Sequence, residues 1–164
     1  MIARLLVLLS LASACALPAL AQPAGSASVD ELVEKLSPAP PATRGLRNLV
    51  PEPRSVDLVV QFEFDSARIQ ATSSPLLDNL ANAMRSERLS SLRFRVEGHT
   101  DAKGSATYNL RLSQRRAEAV IAYLASAGVD RARLSGEGRG ASNLLLPDAP
   151  YAMENRRVRV TAVP

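Results

Sequence analysis

The segment Leu92 to Val120, LRFRVEGHTDAKGSATYNLRLSQRRAEAV, constrains the fold more than any other part of the chain. It opens on strict alternation. Leu92, Phe94 and Val96 oppose Arg93, Arg95 and Glu97, the period of a strand with one buried face. It ends on helical periodicity, which runs from about Ser105 to Ala127 and stops at Gly128, a residue suited to a helix C-cap. Between them lie Asp101 and the turn Ala102-Lys103-Gly104, where glycine can adopt positive φ. A half-buried strand joined sharply to an amphipathic helix requires the helix to lie back on the strand's apolar face.

The flanking segments repeat this grammar. SVDLVVQFEFDS alternates, with Leu58, Val60, Phe62 and Phe64 on the inner face and Gln61, Glu63 and Asp65 opposite. Ser74 reads as an N-cap with Pro75 at the first helical position. Leu76, Leu77, Leu80, Ala83 and Met84 then make an apolar stripe. RLSGEGRG predicts a short strand, ASNLLLPDAPYAME a loop with one helical turn, and RRVRVTAV a last strand with Val158, Val160 and Ala162 inward. The expected fold class is α/β (α+β): a two-layer sandwich in the order β-α-β-α-β-(α)-β, with a four-stranded mixed sheet and the helices on one face. Arg93, Arg95, Glu97, Glu63, Arg157 and Arg159 fall on the other face, expected to be solvated and charge-paired.

The chain has 164 residues. Its start, MIARLLVLLSLASACALPALAQ, has the charged n-region, apolar h-region and A-x-A site of a secretory signal peptide over residues 1–21. The lone cysteine, Cys15, lies inside it. A lipidated N-terminus at Cys15 is disfavoured, because the site after Ala21 is clean and Leu11 is one residue too far upstream. A mature chain without cysteine has no disulfide and no thiol chemistry, which suits a periplasm. Residues 22–54 are Pro/Ala-rich and read as a linker. Within it, SVDELVEKLS carries a capping box at Ser28 and Glu31, followed by Val29, Leu32, Val33 and Leu36 at helical spacing. This 28–36 helix is either a fraying turn or a docking element for an envelope protein. The folded domain is expected over 55–164.

Formal net charge is +4, which favours anionic partners. Three Phe, three Tyr and no Trp argue against a nucleic-acid stacking platform, as does export. One histidine and no mature cysteine leave no ordinary zinc ligand set. No serine sits on a nucleophile elbow, and Glu97 and Asp101 face opposite ways, against a glycosidase pair. His99 reads as a structural residue closing its strand. Catalysis, metal and cofactor are all expected to be absent.

On a wheel at about 100° per residue, Leu110, Ser113, Ala117, Val120, Ile121 and Leu124 share the core arc. Arg111, Gln114, Arg115 and Glu118 fall in water. Arg116 sits on the flank with Asn109, Leu112 and Tyr123, half-buried, where a guanidinium needs an acceptor. Two readings stand. Asp101 and Arg116 form an internal ion pair, or both stay open and clamp a zwitterion, each contact contributing about 1.5–3 kcal/mol.

Thr100-Asp101, Gly104, Tyr108-Asn109, Leu112-Ser113, Arg116-Ala117 and Val120 together resemble the OmpA-like C-terminal domain, the family of peptidoglycan-associated lipoproteins and flagellar stator proteins. FEFDSARI (Phe62 to Ile69) resembles its first-strand signature and ENRRVRV (Glu154 to Val160) its last. The resemblance covers everything after the linker. It implies non-catalytic binding of peptidoglycan through the diaminopimelate of the stem peptide, anchoring the protein or a partner to the wall in the periplasm. Asp101 would hold the ammonium and Arg116 the carboxylate. Asn109, Asn155 and Arg156 would line the same pocket, with Thr100 and Leu112 as walls. Arg159 stands where the family often has an acid, making the open face more basic. The absence of a preceding barrel, transmembrane anchor or convincing lipobox puts the usual envelope tether in doubt, with outer-membrane association left open. The competing readings are a protein-interaction subunit of an envelope complex and a cell-wall hydrolase.

Overall fold

The structure, a computed structural model, describes residues 27–38 and 54–163. The segment read as a signal peptide, Cys15 and most of the segment read as a linker lie outside the described residues. Helix α1 spans Val29–Leu36, strand β1 Ser55–Leu58, helix α2 Ser74–Arg85 and strand β2 Arg93–His99. Helix α3 (Ala106–Ser126) and strands β3 (Leu134–Gly140) and β4 (Val158–Val163) complete the order. The four strands form one sheet in the order β1-β4-β2-β3. β2 and β3 run parallel, as strands joined through a helix do, and β4 inserts antiparallel between β1 and β2. This is the expected α+β fold with a mixed sheet.

Phe94, Val96, Val158 and Val160 are almost fully buried beneath Leu77, Leu80, Val120 and Leu124 of the helical layer. Helix α3 closes as expected, with Gly128 after the last turn at φ +91°, and at its start the Ser105 hydroxyl caps it by accepting from the Tyr108 N–H. The cap of α2 falls one residue earlier than expected, at Ser73, whose hydroxyl accepts from the Gln61 N–H instead of the helix.

Helix α1 forms, with the Ser28 hydroxyl accepting from the Glu31 N–H. Its apolar residues do not await a partner. Leu32 and Leu36 are fully buried and join Val33 in the main core. An eight-residue helix is marginal alone, and packing of that stripe is what stabilises it. The docking role assigned to residues 28–36 therefore loses its apolar surface, and the folded unit begins before residue 55.

Two further expectations fail. Strand β1 ends at Leu58, and the chain beyond Phe62 turns out into a loop closed by a single Phe62–Ile69 bridge. Phe64 is 97% exposed. Alternation continues in the sequence, but Asp65 at φ 51° breaks the extended path. The outer sheet face is also less open than its charges suggest. Glu97, His99, Arg157 and Thr161 are buried there, with Arg139 and Arg159 lying across their neighbours.

Candidate functional site

Strand β2 ends at the sheet margin, so Thr100 and Asp101 emerge beside the first turns of α3. Two glycines allow this close approach. A Cβ on Gly98 would collide with the Ser113 carbonyl, and one on Gly138 would meet the Gln114 nitrogen at 2.5 Å and the Leu110 oxygen at 2.7 Å. The Ser113 hydroxyl donates to the Leu110 carbonyl and accepts from the Gly140 N–H at 2.8 Å, stitching helix to strand. Gly104 takes φ +98°, as the turn into α3 requires.

Where the β2 end, the α3 start and the 62–70 loop meet, a groove of about 670 Å³ opens. Thr100, Asp101, Asn109, Leu112, Arg116 and Arg156 all line it. Asn155 does not: it is fully buried, accepting from the Leu146 N–H and donating to the Ala149 carbonyl, both at 2.9 Å. It holds the 146–149 loop rather than a ligand. Asn109 is buried too, its amide donating to the Asp101 carbonyl at 3.3 Å, which fixes the turn carrying the carboxylate.

Asp101 and Arg116 share the groove without pairing. Asp101 accepts from the Lys103 N–H at 3.0 Å and from Arg156 Nη1 at 2.8 Å. Arg116 is more deeply placed than half-buried, at 9% exposure. Its Nε donates to the Ser66 carbonyl at 3.1 Å, and its guanidinium lies 4.8 Å from the Phe62 ring centroid. Its two Nη groups make no hydrogen bond among the described residues. Burial, and then the neighbouring Arg156 charge, holds the Arg116 pKa below its usual value. An anion in the groove would oppose both effects, since a guanidinium stays charged in proteins.

Sequence reasoning missed the far wall. Phe62, Gln70 and the Ser66 carbonyl come from the 62–70 loop, whose first part reads as the end of a strand. The signal available was the pair of arginines itself: Arg116 needs an acceptor, and Asp101 was the nearest in sequence but not in space. The core arc of α3 was also misjudged at one end. Leu110 is 51% exposed, whereas Leu112 is buried. The 62–70 loop covers the Leu112–Arg116 flank, so the buried arc of the first turns rotates toward it.

A family model for OmpA matches residues 61–158. The chain belongs to the OmpA family. The match takes in the groove from the 62–70 loop to Arg156. Among OmpA relatives, outer membrane protein A of Bordetella avium is 36% identical over 104 residues, covering 62% of this chain and 53% of that protein. Outer membrane porin F of Pseudomonas aeruginosa is 38% identical over 106 residues, 63% of this chain and 30% of that one. The chain thus spans about half or less of the length of these curated relatives. Among solved OmpA-like structures, the peptidoglycan-associated lipoprotein from Burkholderia pseudomallei superposes with a TM-score of 0.56 at 32% identity, covering 63% of this chain and 88% of that one.

Proposed function

We propose that this chain binds peptidoglycan without cleaving it, gripping the diaminopimelate of the stem peptide, and so anchors itself or a partner to the wall in the periplasm. The observation carrying this reading is that Arg116, whose Nη groups make no hydrogen bond among the described residues, lines the same groove as Asp101. The similarity to a peptidoglycan-associated lipoprotein supports the polymer, and the outer-membrane relatives support the compartment. OmpA-like domains are in general non-catalytic binding modules.

Diaminopimelate ends in an ammonium and a carboxylate on one carbon. The Nη groups of Arg116 can donate a fork of two bonds to that carboxylate. The ammonium goes to Asp101, displacing Arg156. The Arg156 side chain is 44% exposed and can return to water, while the incoming ammonium gives the more buried Asp101 an equivalent charge-assisted contact. Thr100 and Leu112 close the sides. A stem peptide with lysine in this position offers the ammonium but leaves Arg116 without its anion.

Two measurements test this reading. The protein is expected to co-sediment with purified sacculi, and in titrations to prefer diaminopimelate muropeptides over lysine ones by about tenfold or more. Equal affinity for the two would overturn the diaminopimelate assignment. Release of soluble muropeptides from sacculi would overturn the non-catalytic one.

A further inference from the structure

A second recess, of about 220 Å³, adjoins the groove. Phe62, Gln70, Arg116 and Arg156 line both, so the two spaces meet at the guanidiniums. Their chemistry differs. The groove has Glu63, Asp65 and Asp101 on its walls, whereas no carboxylate lines the recess. The rest of its lining is Val59, Val60, Met153 and the polar Gln61. Val59 also offers main chain: beyond the end of β1, its N–H and C=O make no hydrogen bond among the described residues, and the residue is 52% exposed. An unpaired stretch of this kind can pair with a peptide laid beside it.

We infer that this recess is a second subsite, taking the C-terminal carboxylate of a small aliphatic residue that follows the diamino acid in the stem peptide. The inference rests on the peptidoglycan reading above. Two guanidiniums with no acid among them favour an anion. The volume, about a third of the groove's, suits one small residue, and Val59, Val60, Phe62 and Met153 suit an aliphatic one. The subsite also gives Arg156 a destination. As the ligand's ammonium takes Asp101, Arg156 is released at the boundary between the two spaces, where a terminal carboxylate can receive it. The Val59 main chain pairs with the peptide unit between the two residues.

The test uses the full mature chain and three synthetic stem peptides: one ending at diaminopimelate, one ending in a further D-alanine with a free carboxylate, and the same peptide with a C-terminal amide. Calorimetric titration is expected to show the free acid binding about tenfold tighter than its amide, the worth of one charge-assisted contact. Met153→Glu, at a position 55% exposed, places a negative charge at the recess. It should bring the acid-to-amide ratio close to one, because the added charge repels the free carboxylate far more than the neutral amide. Val59→Trp should fill the recess and weaken both D-alanine peptides, with the peptide ending at diaminopimelate unaffected. Equal binding of acid and amide to the unaltered protein, or a ratio that survives Met153→Glu, overturns the subsite while the groove reading stands. Failure of all three peptides to bind overturns the peptidoglycan reading and the subsite with it.

Discussion

The surroundings of Asp57 and of Asp101, each a carboxylate with two arginines close by, are built oppositely. On the outer face of the sheet, Asp57 accepts from Arg157 Nε at 3.0 Å, from Arg159 Nε at 2.9 Å and from Arg159 Nη2 at 2.7 Å. Arg157 is nearly sealed there, with a further bond from Nη2 to the Asn143 carbonyl. In the groove, Asp101 takes one bond from Arg156, while Arg116 turns away to a main-chain carbonyl. The outer cluster joins β1 to β4 through three donors to Asp57, and Arg157 Nη1, which has no hydrogen bond among the described residues, is buried away from any ligand. The groove keeps donors in reserve beside a carboxylate whose partner is exposed. The same residue types thus hold the fold in one place and remain available to a visitor in the other.

The largest expected effect falls on the outer cluster. Asp57→Ala strands a buried guanidinium and should destabilise the domain by about 3 kcal/mol in urea unfolding, with muropeptide affinity unchanged. Lost affinity with intact stability would reverse the roles given to the two clusters.

A pH titration sharpens the same contrast. His99 sits beside the outer cluster, buried, with neither ring nitrogen hydrogen-bonded. Burial, reinforced by the Arg157 and Arg159 charges against Glu97 and Asp57, lowers its pKa from 6.5 to about 4. Between those values the unfolded chain binds the proton and the folded one does not. This contribution to stability is therefore complete above pH 6.5 and is lost as pH falls toward 4, on the order of 2 kcal/mol. His99→Gln should flatten that slope of ΔG against pH; an unchanged slope would place the titrating group elsewhere.

Groove substitutions should act the other way round. Asp101→Ala or Arg116→Ala is expected to weaken binding of diaminopimelate muropeptide about tenfold or more, with circular dichroism still reporting a folded domain. The smallest effect belongs to Arg115→Ala. Its side chain is exposed beside the buried Arg116, and neither affinity nor stability should move by more than about 0.5 kcal/mol. A larger loss at Arg115 than at Arg116 would mean that the exposed arginine, not the buried one, meets the ligand.

Legibility followed the range of the interactions. The sequence of elements along the chain, the end of α3 at Gly128 and the burial of Phe94, Val96, Val158 and Val160 depend on local periodicity and turn chemistry, which the sequence carries directly. Arg116 stood out because its position on the wheel conflicts with its charge. Its acceptor, Ser66, lies fifty positions earlier in a loop without periodic signal. Asn155 resembles a pocket residue in motif, yet its amide closes a loop, which only the fold shows. Phe64 failed for a related reason: β-propensity persists through FEF, but a single left-handed residue at Asp65 turns the chain. The 28–36 stripe was legible as a helix, while its partner, the domain's own core, was not.

The bare main chain at Gly98 and Gly138 has a consequence for how such a mouth can diversify. Because backbone touches backbone there, the separation between the β2 end and the helix behaves as a fixed gauge that repacking of aliphatic groups cannot stretch. New preferences would have to arise by exchanging tips around the opening, since its calibre is set by atoms that no substitution shortens.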